Sequence, residues 1–208
     1  MSGREHRPMV KHTLCAKTLM AKNAAQKLLS DIGLSEDFID RLIHDNDWSM
    51  IIKLHALFEA VLASLVVKKL QVPEIRKAVS HLEFNHAESG KVAFALALDL
   101  IGAKDATFLR GLSELRNDLV HDVQKINFDL RAYTSQLDPN QRKKFKSQFG
   151  KSICAVKNGE SAYNQLLKAH PAHIVLLAAY SCLLTLEFKM SYAKRDLLVQ
   201  VLMERVLK

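Results

Sequence analysis

The sequence predicts an all-α protein, a helical bundle with additional helices at its N- and C-terminal ends, and three observations lead there. Residues 48–70 carry apolar side chains at Met50, Ile51, Leu54, Leu57, Phe58, Val61, Leu62 and Leu65. Spacing of three and four makes a single helical stripe sustained for more than four turns. The 208 residues include only 7 glycines and 4 prolines, too little punctuation for a set of tight hairpins. No segment alternates apolar and polar residues with the period of two that a half-buried strand requires.

The elements follow in order. Residues 13–44 form one or two short amphipathic helices, interrupted near Asp31-Ile32-Gly33. Asp45-Asn46-Asp47 then supplies N-cap residues for the helix over 48–70, because a short polar side chain can accept from the free N–H groups of a first turn. Val72-Pro73 breaks that helix, a short helix extends to about His81, and a further helix covers roughly 89–101. Gly102 with Lys104-Asp105 suits a turn. The next helix is expected from Thr107 to Leu130, with Phe108, Leu112, Leu115, Leu119, Val123 and Ile126 inward. Asp138-Pro139 combines an N-cap with proline at the first helical position and opens a basic helix to Phe149. Residues 150–160 are expected to be a loop. Pro171 opens a last helical region, either continuous to Val206 or broken near Ser191. These elements divide into an N-terminal extension (1–46), core helices (47–130) and C-terminal helices that complete the bundle (131–208), together one compact domain.

Charge and cysteine content narrow the setting. The formal net charge is +8 and the isoelectric point is near 9.4, which favours contact with a polyanion, since basic side chains release counterions from phosphates. Cys15, Cys154 and Cys182 are far apart and form no Cys-x-x-Cys pair, as expected of reduced thiols in a cytoplasmic protein. Residues 1–12 are basic and lack the apolar segment of a signal peptide. The most apolar stretch, Ile174 to Leu186, falls short of the ~20 residues of a membrane span, so a buried helix in a core or dimer interface is expected and no membrane partner.

The chemistry-bearing residues lie near the end of the 107–130 segment, where Arg116, Asn117 and His121 occur in the run LRNDLVHD. Asn117 and His121 are four apart and share a helical face. Both lie roughly 160° from the core residue Leu119, so they point away from the bundle, whereas Arg116 sits roughly 140° from His121. A two-fold pairing of such helices gathers two arginines, two asparagines and two histidines into one cleft. That set suits RNA cleavage. One imidazole, with histidine's ordinary pKa near 6.5, takes the proton of a ribose 2′-hydroxyl while another, protonated, donates to the leaving oxygen. Arginine stabilises the charge that builds on phosphorus, and asparagine positions the phosphate or orients a histidine. The scheme calls for no metal and no cofactor. A plainer role is open to the same residues, with Arg116 pairing with Glu114 or Asp118 on a solvated helix.

Arg116-Asn117-Asp118-Leu119-Val120-His121 resembles the signature of HEPN (higher eukaryotes and prokaryotes nucleotide-binding) domains, an arginine and a histidine separated by four to six residues. The helix HALFEAVLASLVVKKL, with His55 and Glu59, is similar to the long first helix of those bundles. The stretch from Phe84 through Lys91-Val92 to Leu100-Ile101, followed by Leu112-x-x-Leu115-Arg116-Asn117, resembles the subset related to mannitol-operon repressors. The likeness covers residues 47–130. It implies a HEPN-like helical bundle that dimerises with its motifs facing, often with metal-independent ribonuclease activity, and often a toxin or defence effector neutralised by a partner protein. It further implies that Arg116 and His121 are the catalytic pair and Asn117 their polar assistant, with Glu59 and Asp118 as supporting acids. Val123 departs from the variant that carries tyrosine two positions after the histidine.

Two other segments carry candidates. Arg142, Lys143, Lys144 and Lys146 could track an RNA backbone with Phe145 stacked on a base, or form a solvated face with Phe145 inward. His81 to Glu88 is rich in potential ligands but matches no zinc spacing, so a polar connector is expected rather than a metal site. The sequence therefore leads to a cytoplasmic HEPN-type endoribonuclease acting on RNA as a homodimer. The alternative is a non-catalytic HEPN-like regulatory or interaction protein.

Overall fold

The computed structural model describes Gln26 and residues 28–206, with side chains to Ser191; the expected helical stretch over 13–25 lies outside the described residues. The described part is all-α, with no strand. Residues 28–31 end a helical stretch that stops at Ile32-Gly33, where Gly33 takes a φ of 79°. Short α1 (Phe38–Leu42) then leads to α2 (Asp47–Leu70). Asn46 caps α2, its side chain accepting from Ser49 N at 2.8 Å. Every apolar residue of the stripe, from Met50 to Leu65, is buried. Burial of each such side chain contributes about 1.5–3 kcal/mol relative to exposure, which makes α2 the central pillar.

Around it stand α3 (Arg76–His81), α4 (Lys91–Ala97) and α5 (Ala103–Val120). Here the structure corrects three expectations. Helix α4 is shorter, ending where Asp99 adopts a left-handed conformation (φ 54°). Lys104 and Asp105 lie inside the first turn of α5, where the Asp105 carboxylate accepts from Gly102 N at 3.3 Å as part of the cap. Helix α5 also ends ten residues early. Asp122 starts a new 3-10 turn, Val123–Asn127, by accepting from Gln124 N at 2.9 Å, and Asp47 fixes the following chain by accepting from Leu130 N at 2.6 Å. Val123 and Ile126 consequently leave the core and are 86% and 56% exposed.

The C-terminal part is α6 (Leu130–Gln136), α7 (Pro139–Phe145), α8 (Lys151–Cys154), α9 (Gly159–Ala169) and α10 (Pro171–Val206). Asp138 caps α7 by accepting from the N–H groups of Asn140 and Gln141, and Gln141 returns the bond to Asp138 N. A π-helical turn, Lys146–Gly150, continues α7 and lies against α5, where a Cβ on Gly111 would come within 2.7 Å of Gln148. The expected loop at 150–160 is largely helical. Only four residues separate α8 from α9, and Asn158 makes the reversal with a φ of 62°. Helix α10 is continuous, and its segment from Ile174 to Leu186 is mostly buried. By length and composition α2 and the 21 residues Pro171–Ser191 are each apolar enough to cross a membrane, a longer stretch than the sequence reading allowed. Within the bundle, 61% and 56% of those windows are buried, which accounts for their apolarity as core helices. Cys154 and Cys182 are free thiols.

Lys91 is the least expected core residue. Its side chain is 1% exposed, and its ammonium donates to Glu59 Oε1 at 2.8 Å, Leu82 O at 2.6 Å and Ser80 O at 3.0 Å. Three donors meet three acceptors, which is what allows a charge to remain there. The bonds tie the α3–α4 connector to α2. Lys91→Met removes the donor from two part-buried carbonyl bonds and the partner of Glu59. It is expected to lower unfolding free energy by about 3 kcal/mol, and Glu59→Gln, at a half-exposed partner, by about 2 kcal/mol. Urea denaturation of both variants measures this; changes within about 0.5 kcal/mol of wild type would contradict the role assigned to the ammonium.

Candidate functional site

The last two turns of α5 present different groups to different sides. The inner stripe Phe108, Leu112, Leu115 and Leu119 is buried, Arg116 is half-buried, and Asn117 and His121 are exposed. His121 is the C-cap residue of α5. Arg116 Nη1 donates to Asn117 Oδ1 at 3.0 Å, so the asparagine holds the guanidinium directly.

Arg116 and Asn117 open onto a recess of about 370 Å³ whose wall also includes His55 and Glu59 of α2, Ser113 of α5, and Glu83, Phe84 and Asn85 of the connector that Lys91 anchors. His121 does not line it. The structure thus joins Arg116, Asn117 and Glu59 and leaves His121 at the end of the helix. His55 is the residue that the motif did not single out. It is 7% exposed, and its ring lies against Phe84 with centroids 4.5 Å apart. Burial, and then the charge of Arg116, hold its pKa down to about 4 against the opposing pull of Glu59, so the imidazole is neutral at physiological pH. The signal in the sequence was the spacing of His55 and Glu59, four apart on one face of α2.

The acids beside Arg116 turn away from it. Glu114 meets Lys144 at 3.0 Å and accepts from Gln148 at 2.8 Å, while Asp118 meets Lys125 at 2.7 Å. Both line a second, smaller recess of about 230 Å³ between α5 and α7, with Tyr133 and Phe149. Among the described residues Arg116 has no carboxylate partner within salt-bridge distance, so the plain surface pairing with Glu114 or Asp118 is not formed. Glu59 is committed to Lys91 instead, and its support of Arg116 is through the shared recess alone.

The basic segment of α7 is divided by its helix. Lys144 faces α5, whereas Arg142, Lys143 and Lys146 face a separate cavity bounded by α6 and α9. Phe145 is buried and packs on Phe149 at 4.8 Å, so it offers no face for a base. In the connector, His86 Nδ1 accepts from Ser89 N at 3.2 Å and acts as a local cap. Among the described residues no cluster of three or more His, Cys, Asp or Glu side chains is arranged to hold a metal ion.

The depressed pKa of His55 makes stability depend on pH. Between pH 6.5 and about 4 the unfolded chain takes up a proton that the folded chain refuses, so stability falls as pH falls through that window. His55→Leu removes this component. The stability difference between wild type and variant is expected to shift by up to about 3 kcal/mol between neutral pH and pH 4, read from urea unfolding curves, and parallel pH profiles would contradict it.

No protein-family model matches this chain, and no curated protein or solved structure matches it.

Proposed function

We propose that this protein is a HEPN-type, metal-independent endoribonuclease that works in the cytoplasm as a homodimer. The observation that carries the reading is the uncommitted charge of Arg116. On its own helix Glu114 and Asp118 are claimed by Lys144, Gln148 and Lys125, Glu59 across the recess is paired with Lys91, and Asn117 holds the guanidinium without neutralising it. A half-buried, permanently charged fork with no carboxylate within salt-bridge distance among the described residues suits a phosphate oxygen.

His121 supports the reading as an exposed imidazole five residues further on, flanked by exposed Val123 and Ile126. Apolar side chains beside a polar site are what a second copy of the chain would cover. In the dimer one His121 takes the 2′-hydroxyl proton and the other donates to the departing 5′-oxygen. Arg116 stabilises the charge on phosphorus and Asn117 keeps its fork aimed. Proton transfer by two imidazoles needs no metal. RNA cleavage of this kind threatens the cell that makes the enzyme, so a toxin or defence role with a neutralising partner protein accompanies the proposal.

One observation favours a second reading. Within a single chain His121 stands outside the recess that Arg116 lines, which suits a non-catalytic regulatory or interaction protein using the same surface. The two are separated by incubating the purified protein with end-labelled RNA in EDTA. The enzyme is expected to leave 2′,3′-cyclic phosphate ends, with Arg116→Ala and His121→Ala each slowing cleavage by about 100-fold or more. Binding without turnover, or cleavage unchanged in both variants, rejects the nuclease.

A further inference from the structure

We propose that the cavity between α6, α7 and α9 is a binding site for a compact anion carrying two or more phosphate groups. The cavity measures about 790 Å³, within the range of small-molecule sites. Five cationic side chains from three helices line it: Arg131 of α6, Arg142 and Lys143 of α7, Lys146 of the following π turn, and Lys168 of α9. No carboxylate does.

Only one of the five is neutralised. Lys146 meets Glu160 at 2.6 Å. Arg142 donates to the backbone carbonyl of Ser135 at 3.2 Å, which orients its guanidinium and leaves its charge intact. Arg131, Lys143 and Lys168 have no carboxylate partner within salt-bridge distance among the described residues. Like charges converging on one concavity repel each other. An anion bound there relieves that repulsion and gains several charge-assisted hydrogen bonds at once.

The shape of the charge selects the ligand. The remaining basic residue of the run, Lys144, is diverted to Glu114, so the run does not present its cations as one continuous track. A single-stranded nucleic acid also needs aromatic platforms for its bases. The one aromatic residue in this wall, Tyr163, is 2% exposed, with the Lys146 ammonium 5.6 Å from its ring centroid, and Phe145 is turned into the core. The Tyr163 hydroxyl is buried and has no hydrogen-bond partner among the described residues. Dense negative charge is recognised here, and bases are not. The inference is independent of RNA cleavage and of the surface around Arg116.

Isothermal titration of the full chain with inorganic tripolyphosphate, orthophosphate, ATP and adenosine tests it. Tripolyphosphate is expected to bind saturably and at least about tenfold tighter than orthophosphate, and adenosine not at all. ATP equal to tripolyphosphate identifies phosphates alone as the recognised element, and ATP clearly tighter identifies a nucleotide; both support the site. Arg142→Gln and Lys168→Gln, at exposed positions on separate helices, are each expected to weaken tripolyphosphate binding about tenfold, with Lys144→Gln binding as wild type. Equal weakening in all three variants reduces the effect to net charge and overturns the proposal. So does tighter binding of oligouridylate than of tripolyphosphate, which returns the surface to strand recognition.

Discussion

An ammonium group buried in an α-helical core is tolerable only if its hydrogen bonds are complete and its charge is answered. Lys91 meets both conditions with two backbone carbonyls and Glu59. The carbonyls belong to Ser80 and Leu82, at the end of α3, so the lysine draws that connector onto the pillar helix α2. Two backbone bonds from the start of α4, Lys91 N to Glu83 O and Val92 N to Phe84 O, extend the clamp. Phe84 is thereby set against His55, and Asn85 lines the recess together with the end of α5. The recess that Arg116 and Asn117 enter is built by this clamp, although Lys91 itself is hidden behind it.

Charge elsewhere is distributed with the same economy of partners. Helix α5 carries Glu114, Arg116 and Asp118 within five residues, and helical geometry sends the acids to one side and the arginine to another. The acids meet Lys144 and Lys125; the arginine meets the neutral amide of Asn117 and shares its recess with a neutral imidazole. Helix α7 divides its own cations in turn, Lys144 toward α5 and the remainder toward the cavity with α6 and α9. Two distinct concavities result, one in which a single arginine shares the wall with a histidine and two glutamates, and one larger and lined by five cations without a carboxylate. The net charge of +8 is therefore expressed at particular places as well as over the whole surface.

Helix identity was legible in the sequence wherever periodicity and a cap agreed. The stripe of α2 with Asn46 before it, and Asp138-Pro139 before α7, rest on local physics that the tertiary fold does not override. Boundaries were misread where a polar residue had a role the pattern could not express. Asp105 looks like a turn residue and is a cap inside the helix; Asp122 lies within a run of helical spacing and starts a 3-10 turn. Asn158-Gly159 has the composition of a loop. Yet Gly159 is buried, and a Cβ there would collide with Ile153 O, so the glycine permits α8 and α9 to follow each other closely. The direction of Asn117 and His121 away from the core could be read from a helical wheel. The meeting of Arg116 with His55 depends on a connector held by a lysine from a third helix, and the basic cavity on three helices whose residues are 37 positions apart at the extremes, Arg131 and Lys168. No local pattern carries such contacts.

The account of function turns on whether two His121 side chains meet, since one chain keeps its histidine apart from its arginine. A His121→Cys variant with the three native cysteines replaced by serine, treated with a short bismaleimide, measures that directly. Facing motifs predict rapid formation of a covalent dimer, suppressed by an excess of RNA that occupies the cleft. A protein that remains uncrosslinked, whether monomeric or dimeric through another surface, would contradict the composite site.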